Sequence, residues 1–457
     1  MLKRLVLSLA LLAPNLTRPA QAQTAPPPAG ADTTWVPPPA KNFTRAALEV
    51  TGVNVGIWLW CRYIREGGTN TGFRIGIQSW KDNLLNGFEW DDNHFNTNQL
   101  AHPYHGSMYF CSARANGYDY WESTAFSFAG SAMWEYFGEV HNASINDWIA
   151  TGYGGVAMGE MLHRFSEMVL DNRAQGSERT WREIGGLLVN PMGGINRLIT
   201  GEMARVGPNP RGHNPERFRA ALQGGARFTG EETLTDTTRV FMRLRGVYGD
   251  QAGGECRVPF ETFSFDVQLN PGDKGAFGRA QIRGLLRSWE TSRSERTASY
   301  FALVNDYDYI DNWAYTYGGQ SLGASIFARR KSEAWTLDAG LTGNWIILAG
   351  TSSDYPSFTG RTYDYGPGVG AKFFAGVRRR GHSLLLLQSD LYHLRIMNGT
   401  AANHTVLENR LTLGFPLRGP LALGAEYSVY NAERRYADYP DVSKRAPQLT
   451  AYLAWDP

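Results

Sequence analysis

Charged residues make up only 19% of this 457-residue chain, below the roughly 25% of typical soluble domains. Cysteine is nearly absent. Cys61, Cys111 and Cys256 are odd in number and lack zinc-finger or redox spacing, which excludes a disulfide scaffold and leaves room for at most one bridge, Cys61 to Cys111. Long apolar runs are missing too. The uncharged stretches 50–61, 123–134, 148–159 and 184–196 have 12 or 13 residues, where a spanning helix needs roughly 18 or more, so an inner-membrane bundle is excluded. No Walker loop, His-Glu-x-x-His helix or strict dinucleotide fingerprint occurs, which removes the commonest nucleotide and zinc-protease readings. Nor is there a basic excess. Removing a leader that holds Lys3, Arg4 and Arg18 takes the formal charge from +2 to −1, so no nucleic-acid partner is expected.

What the chain does have is glycine, 51 residues, and aromatics, 14 Trp, 22 Tyr and 22 Phe, a balance that suits a β-rich envelope protein. Lys3 and Arg4 precede an apolar run at 5–13 and then Ala20-Gln21-Ala22, the form of a signal peptide spanning residues 1–22. No cysteine follows it, so a lipoprotein anchor is not expected. Residues 23–45, with Pro26, Pro27, Pro28, Pro37, Pro38 and Pro39, read as a linker. Residues 46–215 then read as an apolar helical domain: its short uncharged runs suit a buried helical core or helices lying in a membrane interface.

From residue 216 to 457 the hydrophobic period changes to two. Val240, Met242 and Leu244 alternate with Arg239, Arg243 and Arg245, and Phe263, Phe265, Val267 and Leu269 with Ser264, Asp266 and Gln268. Trp335, Leu337, Leu341 and Trp345, then Leu411, Leu413 and Phe415, then Leu421, Leu423 and Tyr427 repeat the pattern, one face greasy and the other wet. About twelve such strands fit, with weak alternation near 299 and 384, and the last, 448–455, ends in Trp455. A soluble sandwich would alternate as well. However, Arg239, Arg243, Arg245, Arg279, Arg283 and Arg287 share the inferred polar face with Asp266, Asp338, Glu408 and Glu426, as in a polar lumen. The expected fold class is therefore α+β, an N-terminal apolar helical domain followed by a C-terminal antiparallel outer-membrane-type β-barrel.

Five of the nine histidines, His94, His102, His105, His141 and His163, fall between 94 and 163, among Glu122, Glu135, Glu139, Asp147 and Glu160. Charges among apolar helices are costly unless paired. In His102-Pro103-Tyr104-His105, Pro103 fits the first turn of a helix and His102 its N-cap, where the helix dipole favours neutral imidazole; a simple capped helix start accounts for it equally. Ser127, Ser131, Glu135 and Glu139 recur every four residues as one polar stripe. Ser144 and Asp147 have capping-box spacing, the structural reading of that pair. Gly155 and Gly159 make a surface for close helix contact. Glu160 and His163 have the Glu-x-x-His spacing of metal-binding bundle helices, and Asp147 joins them only if the intervening glycines break the helix.

The blocks Asn98-Gln99-Leu100-Ala101-His102-Pro103-Tyr104-His105-Gly106, Ala113-Arg114-Ala115-Asn116-Gly117-Tyr118, Trp134-Glu135-Tyr136-Phe137 and Ser144-Ile145-Asn146-Asp147, followed by Gly154-Gly155 and Gly159-Glu160, resemble the bacterial family called domain of unknown function 3943. The resemblance implies an envelope location and a motif block, without an activity; the outer-membrane reading carries the expectation of a Gram-negative source. The order Glu135, Glu139, Asp147, Gly155, Gly159 also looks like the helix pair of VanZ-like membrane proteins. Two readings stay open. In the first, His102, His105, Glu135, Glu139 and Asp147 are catalytic, or His102, His105, Glu139, Glu160 and His163 hold a divalent metal such as zinc, and the site acts on an envelope lipid or its head group. In the second, a non-catalytic barrel is plugged or gated by its helices for lipid or solute passage, or serves as a structural envelope protein. The expected partners are outer-membrane lipid and the barrel-assembly machinery. The expected location is the outer membrane, with the helical domain facing the periplasm or the membrane interface.

Overall fold

The computed structural model describes residues 39–210, 213, 218–229, 237–250, 255–273, 275–355 and 361–456. The leader and almost all of the proline-rich stretch lie outside the described residues. The helical part runs through α1 (Phe43–Leu59), α2 (Ile77–Asn86), α3 (His102–Ala115), α4 (Tyr120–Phe137), α5 (Ile145–Ile149), α6 (Gly155–Val169), α7 (Gly176–Val189) and α8 (Pro191–Ile199). None of the described helices is long and apolar enough to cross a membrane. Asp119 and Glu122 form a reciprocal cap at the start of α4, Ser144 caps α5, and Asn190-Pro191 divides α7 from α8, each end stopping where its orphan backbone groups find a side-chain partner. Wide helical turns at Thr97–Ala101 and Ala150–Gly154 lead directly into α3 and α6.

The barrel follows as β1 (Phe218–Thr229), β2 (Thr237–Tyr248), β3 (Phe263–Leu269), β4 (Phe277–Arg293), β5 (Thr297–Asp311), β6 (Thr316–Lys331), β7 (Trp335–Ser352), β8 (Tyr363–Arg379), β9 (His382–Arg395), β10 (Ala402–Pro416), β11 (Leu421–Tyr436) and β12 (Val442–Trp455). Each strand pairs antiparallel with the next, and β12 closes on β1, Leu222 opposite Trp455 through Thr229 opposite Gln448. Closure leaves no open edge. Four connections at one rim have only two to four residues, between β4 and β5, β6 and β7, β8 and β9, and β10 and β11.

The alternation of side chains divides the wall into two chemistries. Inward, ion pairs span the lumen: Arg279 on β4 to Glu408 on β10, Arg243 on β2 to Glu426 on β11 at 3.0 Å, and Lys372 on β8 to Asp308 on β5 at 2.6 Å. Outward, Leu244, Ile326, Leu341, Trp345, Val369 and Leu423 are exposed, the apolar band of a membrane barrel. Arg287 departs from the expected polar face. A bulge between Leu285 and Arg287 turns it outward, opposite Leu303 and over the Trp289 ring. That bulge, with another between Glu290 and Ser292, also explains the weak alternation near 299. Near 384, Leu385 and Leu387 face outward while Leu386 lines the lumen, so both faces are apolar there.

The helices lie against the outside of the barrel. Phe263, Phe265, Ala280, Ile282, Tyr307 and Tyr309 pack on Phe110, Val156 and Met161, and they alternate along β3–β5 with Asp266, Gln281, Arg283, Asp306 and Asp308, which face the lumen. The helices thus cover the outward face of β3–β5 and, around Gly318, Tyr363 and Tyr365, one end of β6 and β8, while the rest of the outer wall is bare. Hydroxyls on that face bond to the helical part: Tyr307 Oη donates to the Gln99 carbonyl at 2.6 Å, Tyr309 Oη to Asn96 Oδ1 at 2.7 Å, and Asn98 Nδ2 donates to Tyr363 and Tyr365 at 2.9 and 3.1 Å. All three cysteines are buried and none is in a disulfide, so Cys61 and Cys111 do not pair.

Deleting residues 448–457 removes every partner that β12 offers to β1. Such a chain should be exported yet fail to show the heat-modifiable electrophoretic mobility of a closed barrel; normal mobility would contradict the closure described here.

Candidate functional site

The site begins with a close backbone crossing. A Cβ on Gly106 would sit 1.9 Å from the Thr151 carbonyl oxygen, and one on Gly155 would sit 2.5 Å from the Gly106 carbonyl carbon. Only glycine at both positions lets α3 approach the turn before α6 so closely. Gly159 likewise accepts the Phe110 ring. This crossing brings His102, at the start of α3, opposite Asp147 on α5 and Thr151 in the wide turn. His102 Nε2 lies 3.5 Å from Asp147 Oδ2, and its Nδ1 lies 3.2 Å from Thr151 Oγ1.

His102 is not a helix cap, because Thr97–Ala101 already turns helically into it. Its pKa falls to about 4 through burial, opposed by the charge of Asp91, so the imidazole is neutral by desolvation. His105, one turn along, is buried against Trp134 with Nε2 2.6 Å from Tyr109 Oη, and burial takes its pKa to about 3.

The serine and glutamate stripe of α4 faces α3. Ser127 Oγ donates to the Gly106 carbonyl at 3.2 Å, and Glu135 projects to the cluster. Glu135 Oε2 accepts from the Ser144 backbone N–H at 2.7 Å, and Asp147 Oδ1 from Asn146 Nδ2 at 2.8 Å. Ligand atoms of His102, Glu135 and Asp147 all lie within 4.8 Å of one another. Burial first, then the mutual repulsion of Glu135, Glu139, Asp147 and Asp91, raises the pKa of Glu135 and Asp147 well above the ordinary carboxylate range. The largest influences on these two are burial and neighbouring acids. Glu139, just beyond α4, accepts from Trp134 Nε1 at 2.6 Å and is also raised, chiefly by burial. The arrangement is a buried group of acids and neutral imidazole in which burial and like charge dominate at Glu135 and Asp147, the condition a cation or a bound proton relieves.

Glu160 and His163 are not part of it. Glu160 is fully buried and held by Arg114 Nε at 2.8 Å and Arg164 Nε at 3.0 Å, and His163 lies 3.6 Å from Glu167. Twelve residues of α3, about 18 Å at 1.5 Å per residue, separate His102 from Arg114. The wide turn does break the helix between Asp147 and Glu160, but it turns Asp147 toward His102. Sequence reasoning counted acids and histidines without their arginine partners, although Arg164 stands at i+4 from Glu160. It also missed Asp91, Asn98, Asn146 and Thr151, three of which carry no charge and give no periodic signal.

On the barrel side the site is backed by the wall itself. Tyr365 Oη lies 3.3 Å from Asn146 Nδ2, and Arg361 Nη1 donates to the Asp91 carbonyl at 3.0 Å. Fold and site together define an outer-membrane-type twelve-stranded barrel with a helical layer on its outer wall. Residues 87–192, which include every residue of the cluster, match the model of the family described as a domain of unknown function (DUF3943), in agreement with the resemblance carried by the sequence blocks. No curated protein matches the chain. Similar solved structures include the NanC porin, with 11% identity, TM-score 0.28, and 52% of this chain against 98% of that one. The Pseudomonas putida toluene transporter TodX is 8% identical with TM-score 0.22, covering 53% of this chain and 90% of that one. The CymD monoaromatic hydrocarbon channel is 9% identical with TM-score 0.23, covering 53% and 88%. Likeness at this level says nothing about what this chain binds.

Glu160→Gln leaves two half-buried guanidinium groups short of their countercharge, which should cost up to about 3 kcal/mol and lower the unfolding midpoint in detergent. Thermal scans should show that loss with metal content unaltered; a loss of bound metal with unaltered stability would place Glu160 in the centre after all.

Proposed function

We propose that this is an outer-membrane protein whose lateral helical layer holds a divalent cation on His102, Glu135 and Asp147 and uses it on the head group of an envelope lipid. The observation that supports this reading is the cluster itself, three buried ligand atoms within 4.8 Å of one another, with burial and neighbouring acids the largest influences on the two carboxylates. One imidazole and two carboxylates are a donor set that zinc and similar divalent ions accept, with a position left for water or substrate. A cation so held polarises a phosphoryl or carbonyl oxygen and acidifies bound water.

The neighbouring groups fit that role. Thr151 Oγ1 can accept from His102 Nδ1, which leaves Nε2 as the free lone pair. The Ser144 N–H and Asn146 amide occupy one oxygen each of Glu135 and Asp147, orienting the other inward. The lipid assignment rests on surroundings. The helical layer exposes Trp60, Tyr63, Ile64, Leu85, Trp181 and Leu198 beside a barrel wall equally apolar, so both faces suit a bilayer and its interface. Short turns at one rim favour that rim as periplasmic.

A second reading, a non-catalytic barrel gated by its helices, draws support from the tyrosine bonds that tie the helical layer directly to wall strands.

Elemental analysis of the purified chain separates the two. The proposal expects about one divalent ion per chain, lost in His102→Ala and Glu135→Gln while heat-modifiable mobility persists, together with loss of ester or phosphoester cleavage in mixed micelles of outer-membrane lipid. A wild-type chain that stays metal-free after incubation with zinc would overturn it.

A further inference from the structure

The lumen is filled unevenly. Toward the rim with the longer loops, Ile310, Tyr315, Tyr317, Tyr392, Leu394 and Tyr430 belong to one buried cluster. Toward the rim with the short turns lies a cavity of about 390 Å³, reached past His382, Pro416 and Asp456 and extending inward to Asp308 and Arg410. Its wall is mixed: Phe327, Phe374, Leu386 and Tyr452 supply apolar surface, and basic, acidic and uncharged polar side chains supply the rest.

Most of those basic groups already hold acids. Arg283 binds Asp306 at 2.7 Å, Lys372 binds Asp308 at 2.6 Å, and Arg378 pairs with Asp338. Arg410 has Glu408 at 3.2 Å on Nε, and Asp266 at 3.5 Å and Asp390 at 3.8 Å approach its Nη atoms. Arg245 is different. Its Nη2 reaches the Gln388 carbonyl oxygen at 3.4 Å, and no carboxylate of the described residues lies within the 4.0 Å of an ion pair. A half-buried guanidinium without an ion-pair contact of its own, on which the nearby charges of Arg243 and Arg410 weigh against those of Asp266 and Glu426, attracts an anion, and its planar fork matches carboxylate and phosphate oxygens. A mostly concave, partly apolar cavity of several hundred Å³ with a few convergent polar groups is the usual form of a small-molecule site.

We propose that this lumenal cup binds a small amphiphilic anion, its phosphate or carboxylate on Arg245 and Arg410 and its apolar body toward Phe327, Phe374 and Leu386. The site is separate from the helical centre and does not depend on it.

The test is calorimetric titration of the full chain in phosphatidylcholine nanodiscs with hexyl phosphate, hexanoate and inorganic phosphate. One hexyl phosphate or hexanoate per chain, bound at least about tenfold more tightly than inorganic phosphate, is expected, and the tighter of the two organic anions names the head group. Equal affinity for inorganic phosphate would overturn the amphiphilic assignment. Arg245→Gln breaks no ion pair and should weaken binding at least about tenfold, the effect of one charge-assisted hydrogen bond. Gln388→Glu gives Arg245 the carboxylate it lacks and should abolish binding in a barrel of unchanged mobility. Binding that survives both substitutions, or wild-type protein that shows no saturable binding, would overturn the proposal.

Discussion

A tyrosine hydroxyl facing lipid has no partner, and the outer wall of this barrel carries several. Tyr307, Tyr309, Tyr363 and Tyr365 stand on the outward face of β5 and β8, fully or almost fully buried. In hydrocarbon each unsatisfied hydroxyl would cost a few kcal/mol. The helical layer removes that cost, because Asn96, Asn98, Asn146 and the Gln99 carbonyl meet these hydroxyls directly. The same polypeptide stretch that satisfies the wall, from Asp91 to Thr151, also builds the acidic cluster. Wall and centre are therefore one construction: a displacement of β8 reaches Asn146 and, through it, Asp147.

A second constraint acts inside the helical layer. Gly106 and Gly155 permit backbone contact, and that contact fixes how far His102 stands from Asp147. The wide turns on either side, at Thr97–Ala101 and Ala150–Gly154, adjust the phase of α3 and α6 so that polar residues meet while Phe110, Val156 and Met161 remain on the face that covers the barrel. Wide turns of this kind recur at functional sites because they re-aim side chains that a regular helix would point elsewhere.

The barrel was legible in the sequence because two independent demands, an apolar exterior and an ion-paired lumen, both repeat every two residues. Where those demands relax, legibility fails. Bulges displace Arg287, and around 384 the lumen itself accepts leucine. That Phe263 and Phe265 meet helices and not lipid could not be read from alternation, since both environments ask for the same side chains. In the helical layer, the clustering of histidines and acids between 94 and 163 gave a usable signal, but the expected metal set took His105, Glu139, Glu160 and His163 with His102, where the structure groups Glu135 and Asp147 with it. The placement of Glu160 depended on Arg114, forty-six residues away, a distance that no local pattern spans.

The central claim is that the acids and imidazole at the wall are an ion-binding centre. Anomalous diffraction at the zinc edge, from crystals of the zinc-incubated full chain, tests it most directly. The account predicts one strong anomalous peak within coordination distance of His102 Nε2 and of a carboxylate oxygen from each of Glu135 and Asp147, beneath Tyr365. An ordered cluster with no peak there, its side chains joined only by hydrogen bonds, would contradict it.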